Sequence, residues 1–425
     1  MNKLLTIIIP TKNRQPFLDR ALLYYAEAGI TTRIIIADSS NNTLRNDTKN
    51  ICIKYGDKLD ISYFHVLDNT ELFAKYDTAA DMVSTPYLLT VGDDDFPLKS
   101  SLESILLKLE KDSSIAAAFG NRVAITKIKE KTSEKKWIKT YPNYSGISIE
   151  NSDPLDRIRR LPIPNWQQYQ NSIIRTHIFK KAIKTVSKFN FTQYSELFFS
   201  AMVLVHGTWV KYDSLFAVCH QESKFCKFKD RFLFPNYIGA HGSVLSGISQ
   251  KEWSDTVSLL CDAVGEEVAV VCSKDSVDMS DRIRKIYFSK VFYFVEYNSC
   301  LSNNLIDSNS SAIIAINNIF RKLGKLYWTF ILHDKSGGIG EYIKFLFGVS
   351  KEFLKGRLIK IIFSSTTDTG IINLFKSIKR VGSLDYETDI LLSTSSEYNK
   401  EYRIIFDIWK KNPCPQQLKN PYNSK

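Results

Sequence analysis

No run of apolar residues in this chain approaches the ~20 that a bilayer-spanning helix needs, and no charged-then-apolar leader precedes the first strand-like segment. The expectation is a cytoplasmic protein whose route to a membrane is peripheral contact with its inner face. Cysteine is sparse too. The seven are scattered from Cys52 to Cys414, odd in number and without a CxxC pair, which excludes a disulfide framework or a zinc ribbon and leaves reduced thiols. There is no internal repeat, so a solenoid is excluded. No standard nucleic-acid-binding module appears, and the basic residues behind the net charge of +12 are spread along the chain. Nucleic acid is therefore not an expected partner, although a non-enzymatic binder of some anionic polymer would suit the charge. At 425 residues and 44% hydrophobic, the chain is long enough for two cores.

What is present begins at the N-terminus. Leu4 to Pro10 reads as a strand buried on both faces, followed by the polar Thr11-Lys12-Asn13-Arg14 and the helix Pro16–Glu27. A second such strand, Arg33 to Ala37, ends in Asp38-Ser39-Ser40. A helical segment over Thr43–Tyr55, a third strand over Ile61–Val66, a helix over Glu71–Met82 and a fourth strand from Leu88 continue the alternation. That order predicts an α/β fold of right-handed βαβ units on a mainly parallel, Rossmann-like sheet, whose ligands bind at the carboxyl ends of the strands.

The fourth strand runs directly into Gly92-Asp93-Asp94-Asp95-Phe96. Adjacent carboxylates disfavour each other's ionisation unless a cation or a donor-rich ligand sits among them. A solvated acidic turn, or acids at the start of a helix over Ser101–Leu109, is the plainer alternative.

Taken together, Thr6 to Arg14, Ile35 to Ser40 and Gly92 to Phe96 resemble the nucleotide-sugar-binding half of GT-A glycosyltransferases of the family 2 type, across residues 4–222. Within that group the Asp-Asp-Asp-Phe motif is similar to a bacterial branch found among surface-polysaccharide genes. The resemblance implies a nucleotide-diphosphate sugar, with UDP the favoured nucleotide, lying against Pro10, Thr11, Asn13 and Arg14, with Asp38 reading the base edge. It also implies that Asp93 and Asp94 meet the donor, and that Mn²⁺ or Mg²⁺ bridges the diphosphate to Asp93, Asp94 and Asp95. Spacing leaves open whether Asp93 with Asp95, or Asp94 with Asp95, holds the ion. An alternative enzyme class, a nucleotidyltransferase acting on a sugar phosphate, shares the sheet and the acids, but its Gly-rich, cationic phosphate loop after the first strand is absent.

Further along, Ser195-Glu196 at the head of a helix, Gly207, the strand Thr208–Leu215 and His220 keep the family's order, with Ser195 where the first acid of a Glu-Asp pair stands. The resemblance implies Glu196 as the general base of an inverting transfer and His220 as part of the metal or diphosphate shell. Between the two halves, Leu161 to Tyr169 is a Pro-bounded loop of aromatic and amide groups suited to a sugar. Trp166, with Arg122 and Arg175 as phosphate partners, is the candidate acceptor set.

The strand-like signals stop near Ser223, so a domain over 1–225 and a second, helical one over 240–425 are expected. Helical periods run through Lys251–Val264, Asp278–Tyr297, Ala312–Phe330 and Gly340–Phe363. Arg321 to Phe363 carries nine Lys or Arg against three acids, interleaved with aromatics. Such a face suits an anionic bilayer carrying a polyprenyl-linked glycan acceptor. Dimerisation of the chain, acceptor gripping and membrane docking all remain open for this domain.

Overall fold

The structure, a computed structural model, describes residues 1, 3–127, 138–143, 147–161, 171–188, 192–220, 250–287 and 391–411. Four strands open the fold: β1 (Leu5–Thr11), β2 (Arg33–Asp38), β3 (Ile61–His65) and β4 (Tyr87–Thr90). They pair in parallel in the order β3-β2-β1-β4, with Thr11 opposite Asp38 and Asp38 opposite His65. Polar residues thus gather where the strands end.

Helices α1 (Gln15–Glu27), α2 (Asn42–Tyr55) and α3 (Leu72–Asp81) make the crossovers. Each starts for a local reason. Pro16 lies in the first turn of α1, where its missing N–H costs nothing, and the Asn41 side chain caps α2 by accepting from the Leu44 N–H at 3.1 Å. Alternate residues of β1 serve opposite faces. Ile7 and Ile9 pack with Leu18 and Leu22 of α1 in one core cluster, while Ile8 is equally buried but points the other way. The second layer includes the edge-to-face contacts of Phe73 on α3 with Phe199, and of Phe199 with Phe179.

Beyond β4 the sheet becomes mixed. A short strand β5 (Asp95–Pro97) precedes α4 (Lys99–Lys111); then come β6 (Ile115–Lys127), β7 (Ile138–Asn143), α5 (Pro154–Arg160), β8 (Ile173–Arg175), α6 (Thr176–Val186), α7 (Thr192–His206) and β9 (Thr208–His220). The full order is β3-β2-β1-β4-β8-β6-β9-β5, with β7 on β6. β8 and β5 run antiparallel to their neighbours, and β6 pairs β9 in parallel. The acid triplet therefore does not open a helix. It spans the turn between β4 and β5, and Asp95 is already paired with Cys219 of β9. Gly207 does more than stop α7: a Cβ there would lie 2.5 Å from the Ser114 carbonyl oxygen, so only glycine lets β9 start against β6.

The chain divides into a unit of Met1–Lys224, Ser249–Lys290 and Asp385–Lys425 and a second of Phe225–Ile248 and Val291–Leu384. The second unit, with the expected helices Ala312–Phe330 and Gly340–Phe363, lies outside the described residues, as do 128–137 and Trp166. In the first unit α8 (Gln250–Cys272) packs on α7 and α9 (Ser276–Tyr287), and Glu267 of α8 bonds Lys181 at 2.5 Å and faces His206 at 3.2 Å. A helix absent from the sequence expectations, α10 (Asn399–Lys411), buries Tyr402, Ile405, Ile408 and Trp409 in the core shared by α1 and β1. Its spacing of three, three and one is helical, so periodicity could have found it. No helix among the described residues is long and apolar enough to cross a membrane.

Candidate active site

The carboxyl ends of β1, β2 and β4 bring Thr11, Asn13, Arg14, Asp38 and the acid triplet into one cluster. Asp93 is buried and fully engaged: Thr11 Oγ1 donates to Oδ2 at 2.7 Å and Arg14 Nε to Oδ1 at 2.9 Å. The same guanidinium reaches Asp94 Oδ2 through Nη2 and lies 4.1 Å from the centre of the Phe17 ring. A protein cation thus meets part of the charge that seemed to require a metal. Burial lowers the Arg14 pKa, but the charges of Asp93 and Asp94 outweigh it and leave the group above its ordinary value. Asp93 is pushed up to about 6, burial outweighing Arg14.

Asp95 sits differently. Burial and the neighbouring Asp94 push it to about 6, against Arg122 and the hydrogen bond from Asn171. Asn171 donates through Nδ2 to Asp95 Oδ2 at 2.8 Å, and it holds φ +58°, a left-handed conformation that asparagine tolerates better than most residues. Among the described residues its Oδ1 is buried with no partner. Gly92 faces this space: a Cβ there would meet Asp94 Oδ1 at 3.0 Å and Asp95 Oδ2 at 3.4 Å. Among the described residues no three acidic, histidine or cysteine side chains form a ready metal site. Two carboxylates converging on a bare glycine do fit Mg²⁺ or Mn²⁺, which takes one or two carboxylates, substrate phosphates and water.

The β2 end is held as tightly. Asp38 is buried, with Oδ1 accepting from the Ser40 N–H at 2.7 Å and Oδ2 from the Tyr63 hydroxyl at 2.9 Å. Asn13, at φ +54°, joins the two loops: its N–H donates to Ser40 Oγ and its Oδ1 accepts from the Asn41 N–H. Pro10 is half-buried next to them, in register with Ala37.

Lys75 on α3 escaped the sequence reading, because it lies on an otherwise apolar helix face. It is buried, and Nζ donates to Ser39 Oγ at 3.0 Å and the Thr11 carbonyl at 3.4 Å. Burial, with Lys12 adding and Asp93 opposing, pushes it from 10.5 down to about 8. The unfolded chain then holds the extra proton between those values, so stability rises with pH across that window. The unfolding midpoint of the wild type should gain on that of Lys75→Met between pH 8 and 10.5; a constant difference would contradict this placement of the ammonium group.

His220 ends β9, and its N–H bonds the Asp94 carbonyl at 3.2 Å. Arg20 Nη2 lies 2.8 Å from its Nδ1. Burial and Arg20 push the imidazole down to about 3, so it is neutral. In this arrangement Nδ1 is engaged by a guanidinium. Arg122, on β6, acts on Asp95 electrostatically. Arg175 is a correction. It pairs with Tyr87 at the opposite, amino end of β4, and spends its guanidinium on the carbonyls of Leu109, Asp112 and Ile115 and the Tyr87 hydroxyl. It is a structural clasp, not an acceptor ligand. Glu196 is half-buried near the start of α7, which packs on α3, β6 and β9.

Residues 6–172 match the model of glycosyl transferase family 2. No curated protein matches the chain. Among solved structures, S. aureus TarS 1–349 aligns with a TM-score of 0.37 at 14% identity, covering 69% of this chain and 90% of its own. The same fragment in complex with UDP-GlcNAc gives 0.38 at 13%, covering 70% and 87%. The mannosyltransferase PcManGT of Pyrobaculum calidifontis, in complex with GDP-Man and Mn²⁺, gives 0.37 at 10%, covering 78% and 83%. The fold assignment rests on residues 6–172 and on the strand order, not on these overlays.

Proposed function

We propose that this glycosyltransferase moves a sugar from a nucleoside diphosphate, UDP being favoured, onto a growing bacterial surface glycan or its polyprenyl-linked precursor. The observation that supports it most is the cluster of Arg14, Asp93, Asp94 and Asp95 at adjoining strand ends, beside Asp38 and Lys75, inside the family 2 domain. An anionic diphosphate would meet Arg14 there, and the base would lie toward Asp38. Asp94 and Asp95 would hold a divalent ion, whose chemistry is to neutralise the charge that develops on the leaving diphosphate. In the transfer the acceptor oxygen bonds to the anomeric carbon, the bond from that carbon to the diphosphate oxygen breaks, and the diphosphate leaves with the electron pair. The hydroxyl proton passes to Glu196, and attack from the face opposite the diphosphate, in a single displacement, gives inversion. The basic and aromatic residues of 321–363, read from the sequence alone, have the composition that peripheral contact with an anionic membrane would use.

Titration with UDP and Mn²⁺, followed by a donor-sugar screen for release of free UDP, tests the reading. Absence of nucleotide binding would end it.

Asp38 gives a narrower test. Because both of its oxygens hold buried donors, Asp38→Ala strands the Tyr63 hydroxyl and the Ser40 N–H and should lower stability as well as affinity. Asp38→Asn is the cleaner variant. Loss of a charged-group hydrogen bond costs ~1.5–3 kcal/mol, so UDP should bind roughly ten- to a hundredfold more weakly. Wild-type affinity in Asp38→Asn would remove the base-reading role.

A further inference from the structure

Helix α10 reaches the donor-site strands from the far end of the sequence. Glu401 accepts from the Lys99 and Ser100 N–H groups, the latter at 3.1 Å, and so caps α4 just after β5. Tyr398 accepts from the Leu215 N–H of β9 through its hydroxyl at 3.1 Å. Just over two turns beyond Glu401, buried Trp409 meets His220 edge-on with ring centres 4.7 Å apart, and the Arg20 guanidinium lies 4.6 Å from the same indole. Glu401, Tyr398 and Trp409 thus seat α10 on α4, on β9 and on the pair formed by Arg20 and His220.

The Arg20 contact decides which nitrogen of His220 carries its hydrogen. A guanidinium only donates, so Nδ1 accepts and the hydrogen of the neutral ring lies on Nε2. A nitrogen that carries its hydrogen can donate to a phosphate oxygen but cannot ligate a metal.

We propose that Trp409 is a positioning residue of the donor site: with Arg20 it holds His220 as an Nε2–H donor for a phosphate of the nucleoside diphosphate. The proposal rests on the functional reading above. It makes α10 part of the donor site and assigns His220 to the diphosphate, not to the metal.

The first test needs no variant. In ¹⁵N NMR of histidine-labelled wild-type protein, His220 should show a bare Nδ1 and a protonated Nε2; the opposite tautomer overturns the proposal. The second measures UDP affinity in the presence of Mn²⁺. Trp409→Leu should weaken it roughly tenfold, as loss of a group that orients a ligand does. Ile408→Ala, buried on the same helix, should lower thermal stability yet keep UDP affinity within about twofold. Equal loss in both would make α10 mere packing and sink the idea. Trp409→Leu combined with Arg20→Gln should cost no more than the worse single change, because both act through one ring, and additive losses count against it. Should Trp409→Leu fail to fold, the wild-type tautomer decides. If wild-type protein binds no UDP, the functional reading falls, and the tautomer alone judges the positioning.

Discussion

Glu196→Gln should bind UDP and Mn²⁺ as the wild type does and transfer sugar roughly 10²–10⁴ times more slowly, the usual cost of removing a positioned general base. Glutamine keeps the shape and the hydrogen bonding of the side chain and loses its basicity, so a fall in turnover at unchanged donor affinity isolates proton removal from binding. Glu196 lies half-buried near the start of α7, a helix packed on β6 and β9, and those strands carry Arg122 and His220. Near-normal turnover in the variant would refute the assignment. So would a product with the anomeric configuration of the donor, because a single base-assisted attack opposite the leaving group gives inversion.

Asp95→Asn, or chelation of the wild type, should abolish transfer together with metal-stimulated UDP binding. If the ion contributes about 4 kcal/mol to the transition state, turnover falls about a thousandfold. The structure sharpens which acids matter. Asp93 is committed to Thr11 and Arg14, whereas Asp94 Oδ1 and Asp95 Oδ2 converge on Gly92. Asp93→Asn should therefore weaken the seating of Arg14 more than it weakens the ion, while Asp95→Asn does the reverse. Full turnover in excess chelator would falsify the metal reading and leave the charge of the triplet to Arg14, Arg122 and Lys75.

The N-terminal half was legible in the sequence for a simple reason. A strand buried on both faces must be apolar throughout, so β1, β2 and β4 announce themselves, and the polar residues that follow them mark the strand ends where a parallel sheet binds ligands. Thr11, Asn13, Arg14, Asp38 and the acid triplet could all be named on those grounds. Their partners could not. Nothing in the spacing of Arg14 and Asp93 says that they pair, because that depends on how β1 and β4 lie side by side. The same holds for Arg175. Its sequence context suggested a phosphate ligand, and only the antiparallel pairing of β8 with β4 carries it to the opposite end of the sheet.

Local chemistry by itself determined the order of strands and helices, the edge of the sheet that carries the chemistry and the identity of most of its charged groups, since each depends on residues a few positions apart. The tertiary structure alone decided which partner each acid takes, that Lys75 lies buried against Ser39 and Thr11, and that a helix near residue 400 closes on a histidine at the end of β9. Those outcomes depend on contacts between residues dozens to hundreds of positions apart. Burial and pairing of this kind are properties of the packed chain, and the periodicity of any one segment does not encode them.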